Sequence, residues 1–159
     1  MESDINGIAE NCQFCKILNG TEIASFVYQD DRCAVFLDIR PVNPGHLLVV
    51  PTQHAARLSE LDPENGAYLF QIAQRAATAL YSSGLKTEGI DLLLADGKAA
   101  GQTVAHMHIH VLPRFQGDGF GFKYRFSKII KPSRLLLDQN AAKIRQAWIP
   151  GRMNTDNFK

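Results

Sequence analysis

Apolar positions along the chain change their period in an ordered way, and each change marks an element. Ser25 to Gln29 and Cys33 to Ile39 are rich in aromatic and β-branched residues around an Asp30-Asp31 turn, which predicts an antiparallel hairpin. His46 to Val50 predicts a third strand. Its ends are marked by Pro41, Pro44-Gly45 and Pro51, because proline cannot donate to a ladder and restricts the residue before it. The period then becomes helical: Asp62-Pro63-Glu64 is a start signal, Leu69, Ile72, Ala73, Ala76 and Leu80 form one apolar stripe, and Gly84 is a stop. A helix to about residue 83 that covers a sheet follows from that stripe. Ile90 to Ala95 and Val104 to Leu112 predict two further strands, joined by the turn-rich Asp96 to Gly101. Phe14 to Leu18, closed by Asn19-Gly20, predicts one or two helical turns, and Asn140 to Trp148 a short closing helix.

Composition narrows the class without naming it. The 159 residues suit one compact domain, with residues 1–11 and 151–159 expected to be loose, and there is no internal repeat or linker. Seventeen Lys plus Arg against 16 Asp plus Glu leave a net charge of +1, which argues against a nucleic-acid coat. The longest apolar run, Cys33 to Leu37, is far short of the ~20 residues a membrane span needs. The amino-terminal Met1-Glu2-Ser3-Asp4 lacks the basic then apolar pattern of a secretory signal, so a cytoplasmic compartment is expected. Three cysteines, Cys12, Cys15 and Cys33, cannot all pair; Cys12-x-x-Cys15 reads as a zinc half-site, a redox pair or an incidental pair.

The histidines carry the chemistry. His106, His108 and His110 alternate with Met107 and Ile109, and in a strand positions i, i+2 and i+4 share one face at about 6.8 Å spacing. Three imidazoles then line one surface while Met107, Ile109 and Val111 serve a core on the other. Histidine titrates near neutrality and serves as acid, base, nucleophile or ligand, so the cluster is read as functional. Gly101-Gln102-Thr103-Val104 precedes it; this is either a glycine turn or a loop whose backbone N–H groups approach an anion.

The motif His106-Met107-His108-Ile109-His110-Val111-Leu112 resembles the signature of the histidine triad nucleotide hydrolases and transferases. The resemblance extends through Phe14-Cys15-Lys16-Ile17, Asp30-Asp31, Phe36-Leu37-Asp38-Ile39, Pro44 to Pro51 and Ala100 to Val104, covering core motifs in residues 12–114. It implies an α+β fold: an antiparallel sheet of about five strands with one long helix and short terminal helices, dimerising through a joined sheet. It implies a single domain over residues 12–150, of which 115–150 is a C-terminal extension. In mechanism it implies that His108 attacks the α-phosphorus of a purine nucleotide and forms a nucleotidyl-histidine that water hydrolyses. His110 would bind phosphate oxygens and assist proton transfer to the leaving group. Gly101, Gln102 and Thr103 would bind phosphate through backbone amides and the Thr103 hydroxyl, and His46 would support the cluster, its alternative being a strand-edge surface residue. Phe14, Ile17, Phe36 and Ile39 would form the base pocket, or else ordinary core, and Asp38 would accept from the ribose hydroxyls. A zinc-binding branch implies Cys12, Cys15, His54 and His106 as a structural zinc site.

Two features depart from the pattern. Many members carry Asn or Gln eleven residues before the first triad histidine; here Ala95 cannot hydrogen-bond, leaving Asp96 or backbone to take over. Residues 120–126 alternate aromatic with small or basic residues, including Lys123 and Arg125, and Lys128, Lys131 and Arg134 follow, making a basic aromatic segment over 120–134. They read first as an edge strand or arm on a partner subunit, with contact to a polyphosphate or nucleic acid as the alternative. The competing functions are a hydrolase acting on purine nucleoside phosphoramidates or dinucleoside polyphosphates, a regulatory nucleotide-binding module, and a nucleotidyl transferase or deadenylase.

Overall fold

A computed structural model of the chain describes residues 11–121 and 132–148. The expected loose ends, apart from Asn11, and most of the basic aromatic segment lie outside these residues. The chain forms two compact units, the first ending at Asp118 and the second starting at Gly119.

The first unit is built on a five-stranded antiparallel sheet in the order β1-β2-β3-β5-β4: β1 (Phe26–Gln29), β2 (Cys33–Leu37), β3 (Leu47–Pro51), β4 (Gly89–Leu93) and β5 (Ile109–Arg114). The last strand inserts between β3 and β4, so the histidine segment ends in the interior of the sheet. Both faces are covered, which is why β2 and β3 read as unbroken apolar runs. On one face α2 (Pro63–Ser82) packs Leu69, Ile72, Ala73, Ala76 and Leu80 on Val35, Val49, Met107, Ile109 and Val111. These five helical positions are the stripe read from sequence, and Asp62 caps the helix by accepting from the N–H groups of Glu64 (2.9 Å) and Asn65 (3.2 Å). On the other face α1 (Gln13–Leu18) sets Phe14 and Ile17 against Ala34, Phe36, Leu48 and Val50. None of the helices among the described residues is long and apolar enough to cross a membrane.

Two expected starts move by five residues or more, while the other element ends shift by at most two. The strand expected from Val104 begins only at Ile109 and runs on to Arg114. His106 N–H bonds the Val104 carbonyl (2.8 Å) and Met107 N–H bonds the Ala55 carbonyl (2.7 Å), so this backbone serves a turn and a loop instead of the ladder. In the second unit the helix expected at Asn140 starts six residues earlier, as α3 (Arg134–Ala147). Ser133 supplies the cap, its side chain accepting from Leu136 N–H.

The hairpin is tied to α2 through Asp30. Burial opposes its charge, but hydrogen bonds from Tyr68, Tyr28 and the backbone N–H groups of Cys33 and Arg32 outweigh that cost and hold the carboxyl well below the usual carboxylate range. Asp30→Ala should therefore destabilise the unit by about 2–3 kcal/mol in urea unfolding at pH 7. Because the folded-state pKa is depressed, the contribution is complete above the ordinary carboxylate value. It fades as pH falls through the lower folded value, so the gap between wild type and variant should narrow in acid. A gap that stays constant down to acid unfolding would show that the carboxylate is not the cause.

Candidate active site

Alternation survives where the strand does not. Met107, Ile109 and Val111 enter the α2-side core, while His106, His108 and His110 face the α1 side; the Phe14 ring lies edge-on 5.9 Å from His106 and 5.0 Å from His108. His106 and His108 are buried, and His110 is half-buried.

Each ring's proton position follows from what it faces. His108 Nδ1 lies 2.7 Å from the His106 carbonyl oxygen, which can only accept, so Nδ1 carries the hydrogen and Nε2 keeps a free lone pair. Burial, opposed by the bond to the His106 carbonyl and by the Asp38 charge, lowers the pKa of His108 and favours that neutral form at pH 7. His46 is buried just ahead of β3, and its Nδ1 accepts from Val42 N–H at 3.2 Å. Its hydrogen is thus on Nε2, 2.8 Å from His110 Nδ1, and the hydrogen of His110 is left on its Nε2. Burial first, then His108 and His46, depress the His110 pKa to about 4, so this pair is neutral near pH 7. The cross-strand register Leu48↔His110 is what brings the β3 entry beside the triad. Asp38 sits at the same corner, one oxygen accepting from Arg40 N–H (2.8 Å) and the other 3.7 Å from His46 Nε2.

A second cluster forms where α1 meets the start of the histidine segment. Cys12 Sγ and Cys15 Sγ lie 3.4 and 3.5 Å from His106 Nδ1, and His54 Nδ1 lies 3.3 Å from Cys15 Sγ. All four donor atoms are within 4.8 Å of one another. His106 Nε2 donates to the Pro51 carbonyl at 2.9 Å, which leaves Nδ1 as a lone pair aimed at the thiols, the tautomer a metal ligand requires. Two soft sulfurs and two imidazoles suit a closed tetrahedral zinc site. Asp38, His46 and His110 also converge within 4.8 Å, but Val42 N–H occupies one nitrogen of His46 and the other carries its hydrogen. That group is a hydrogen-bonded relay, not a ligand set.

A cleft of about 350 Å³ opens over the triad, lined by Phe14, Phe36, Asp38, Ile39, Thr103, His108 and His110. Four of the five expected nucleoside-pocket residues are among these; Ile17 is not, because it packs in the α1-side core. Gln13, Leu37, Arg40, Leu48 and Val104 also line it without having been singled out by sequence, which carries no signal for which loop atoms meet across a cleft. Of the expected phosphate loop only Thr103 lines the cleft. Gly101 N–H is bonded to the Lys98 carbonyl (3.0 Å) and Gln102 N–H to the Gly97 carbonyl (3.2 Å), so these amides close a turn. The Gln102 side chain spans from Gly97 N–H (2.7 Å) to the Ala56 carbonyl (2.9 Å), bracing the loop that carries His54. Asp96 does not stand in for the missing amide at Ala95, since its carboxylate accepts from Leu58 N–H.

Fold and site together define an antiparallel-sheet protein with three histidines on one face, two of them under a cleft and one of these held with a free nitrogen. The HIT domain family matches residues 20–117, and the chain belongs to that family. It is 40% identical over 114 residues to the Protein hit of Bacillus subtilis, covering 71% of this chain and 78% of that one. It is 31% identical over 137 residues to the adenylylsulfatase HINT3 of Arabidopsis thaliana, covering 86% of this chain and 67% of that protein. Among solved structures, a zinc-bound histidine triad protein from Mycobacterium smegmatis aligns with a TM-score of 0.68 and 38% identity, over 88% of this chain and 99% of that one. A HIT family hydrolase from Legionella pneumophila aligns with a TM-score of 0.58 and 36% identity, over 67% and 95%.

Proposed function

We propose that the protein is a hydrolase that cleaves a purine nucleotide at its α-phosphate through a nucleotidyl-histidine. The observation that carries this reading is the His108 Nδ1–H bond to the His106 carbonyl, which leaves a neutral, lone-pair nitrogen beside the cleft. In the first half-reaction Nε2 of His108 bonds to phosphorus and the bond to the leaving group breaks, its electron pair going to that group. His110 presents its Nε2–H to the phosphoryl oxygens and the leaving atom, and Thr103 supports the same oxygens. Water then attacks phosphorus, releasing the nucleoside monophosphate and returning His108 to its neutral state with a proton given up to solvent. Asp38, whose carboxylate can take two donors, is assigned to the ribose hydroxyls, and Phe14, Phe36 and Ile39 to the base. Cys12, Cys15, His54 and His106 are assigned to a structural zinc, which would clip α1 to the sheet.

The substrate class is tested by single-turnover monophosphate release from an adenosine phosphoramidate, a diadenosine polyphosphate and adenylyl sulfate. The adenylylsulfatase among the relatives motivates the third. Fast release from one of them names the leaving group. Release from none, with nucleotide still bound, would replace the hydrolase by a nucleotide-binding module, a reading favoured by the unreplaced amide at Ala95 and the commitment of Asp96 to Leu58.

A pH dependence arises from the same geometry. Attack needs neutral His108, whose pKa burial lowers from the ordinary 6.5. The group stays deprotonated to lower pH, so kcat/KM should hold its value through pH 6.5 and fall only in more acid solution. A half-maximal point above pH 7 on the acid limb would contradict a nucleophile kept neutral by burial.

A further inference from the structure

His46 owes its proton position to a single donor, the N–H of Val42, and the loop that aims this donor is held by a side chain outside the cleft. Asn43, Pro44, Gly45 and His46 form a tight turn in which His46 N–H bonds the Asn43 carbonyl at 3.1 Å and Gly45 takes φ +93°. One side of the turn packs on the end of α2 and on Leu85 just beyond it: a Cβ at Gly45 would meet Leu85 Cδ1 at 2.8 Å and Leu80 Cδ2 at 3.0 Å. The other side is held by Asn43, which is only 6% exposed. Its amide nitrogen donates to the Pro113 carbonyl at the end of β5 (2.9 Å) and to Asp118 Oδ2 (2.8 Å). Asp118 is gripped in turn by Arg114, Nε at 2.6 Å and Nη2 at 2.8 Å.

We infer that Asn43 is a positioning residue for the reaction: by fastening this turn to Pro113 and Asp118 it aims Val42 N–H at His46 Nδ1, and so sets which nitrogen of His110 presents its hydrogen to the phosphoryl group. Only an amide serves. Both hydrogens of Nδ2 are committed to acceptors, so a carboxylate of the same shape would face a carbonyl and a second carboxylate with no donor. A turn released at Asn43 lets Val42 N–H drift, and His46 can then take its hydrogen on Nδ1 and accept at Nε2 from His110, turning the pair around. The charged and titratable groups facing the pair are Asp38 and His108, and neither bonds to Asn43 among the described residues.

The inference rests on the hydrolase reading for its kinetic consequence but not for its spectroscopic one. Long-range ¹H–¹⁵N correlation spectra of the full chain labelled at histidine should show wild-type His46 as the single Nε2–H tautomer. Asn43→Asp should give a mixture of tautomers, a single-turnover rate lower by about tenfold or more, and a nucleoside monophosphate affinity within about threefold of wild type. Placed in a His46→Ala background, the same substitution should cost no further rate, because it acts through His46. If Asn43→Asp does not fold, Asp118→Asn, which weakens the same clamp one step further from the turn, is judged by the same criteria. A folded variant with the wild-type tautomer and rate, or a rate loss that persists without His46, overturns the inference. Should the wild type itself release no monophosphate, the hydrolase reading falls, and the His46 spectrum alone decides the role of Asn43.

Discussion

His108→Ala should lower single-turnover release of nucleoside monophosphate by about 10⁴-fold or more while nucleotide still binds. The expectation comes from what the ring does and what it leaves untouched. Of the triad nitrogens, Nε2 of this ring keeps a lone pair that is neither shared in the relay nor turned toward the Cys12–Cys15 thiols. Removing the ring removes the atom proposed to form the covalent bond, and neither His110 nor His46 is placed to replace it, because each holds its hydrogen or its lone pair in the 2.8 Å bond between them. The cleft walls built by Phe36, Asp38 and Ile39 come from β2 and the loop after it, so binding is expected to survive. Protein quenched in alkaline denaturant, where a phosphorus–nitrogen bond survives, should carry a histidine-linked nucleotide in wild type and none in His108→Ala. Turnover within about tenfold of wild type would place the nucleophile elsewhere and sink the covalent route.

Cys15→Ala should abolish stoichiometric zinc binding and lower thermal stability, with the larger kinetic effect in KM. Native mass spectrometry and melting with and without chelator measure both consequences. The thiol of Cys15 is pushed up to about 11 by burial and by its neighbour Cys12, so binding a metal must displace protons, and affinity should fall as pH falls. Mass action sets the scale: a metal present at about a thousand times its dissociation constant stabilises the folded chain by about 4 kcal/mol. The effect is expected to reach the cleft through Phe14, which stands between the two cysteines in the chain, touches His108 and lines the cleft. Without the clip this wall is expected to loosen and nucleotide to bind more weakly, while the His46–His110 bond and the bond from His108 to the His106 carbonyl stay intact. Protein isolated without chelators that holds no metal, and whose melting temperature ignores added zinc, would refute the site.

Much of this molecule is legible one residue at a time. The cap at Asp62, the five-residue stripe of α2, the hairpin around Asp30 and the placing of three imidazoles on one face all come from local periodicity and turn chemistry. These features depend on neighbours within a few positions, and the chain states them directly. The misplaced strand start at Val104 and the late start given to α3 mark the limit. Val104 to Met107 has strand composition, yet its N–H groups are taken by its own turn and by Ala55, a partner about fifty residues away. Ser133 is a cap signal of a kind the sequence does show, hidden beside a run of basic and aromatic residues.

The sequence by itself determined that three histidines share a face, that two cysteines stand three positions apart, and which apolar residues make the core, because alternation and spacing are properties of a single segment. Only the folded structure decided which partner each imidazole nitrogen meets. Insertion of β5 between β3 and β4 sets His110 beside His46, the Pro51 carbonyl turns His106 toward the thiols, and the His106 carbonyl frees one nitrogen of His108. The same ordering took Gly101 and Gln102 out of the anion loop and spent them on a turn. An imidazole's role is set by which of its two nitrogens has a donor or an acceptor in reach. That partner is backbone two to four residues away for His108 and His46, a distant carbonyl for His106 and another imidazole for His110, and no pattern of side chains records it.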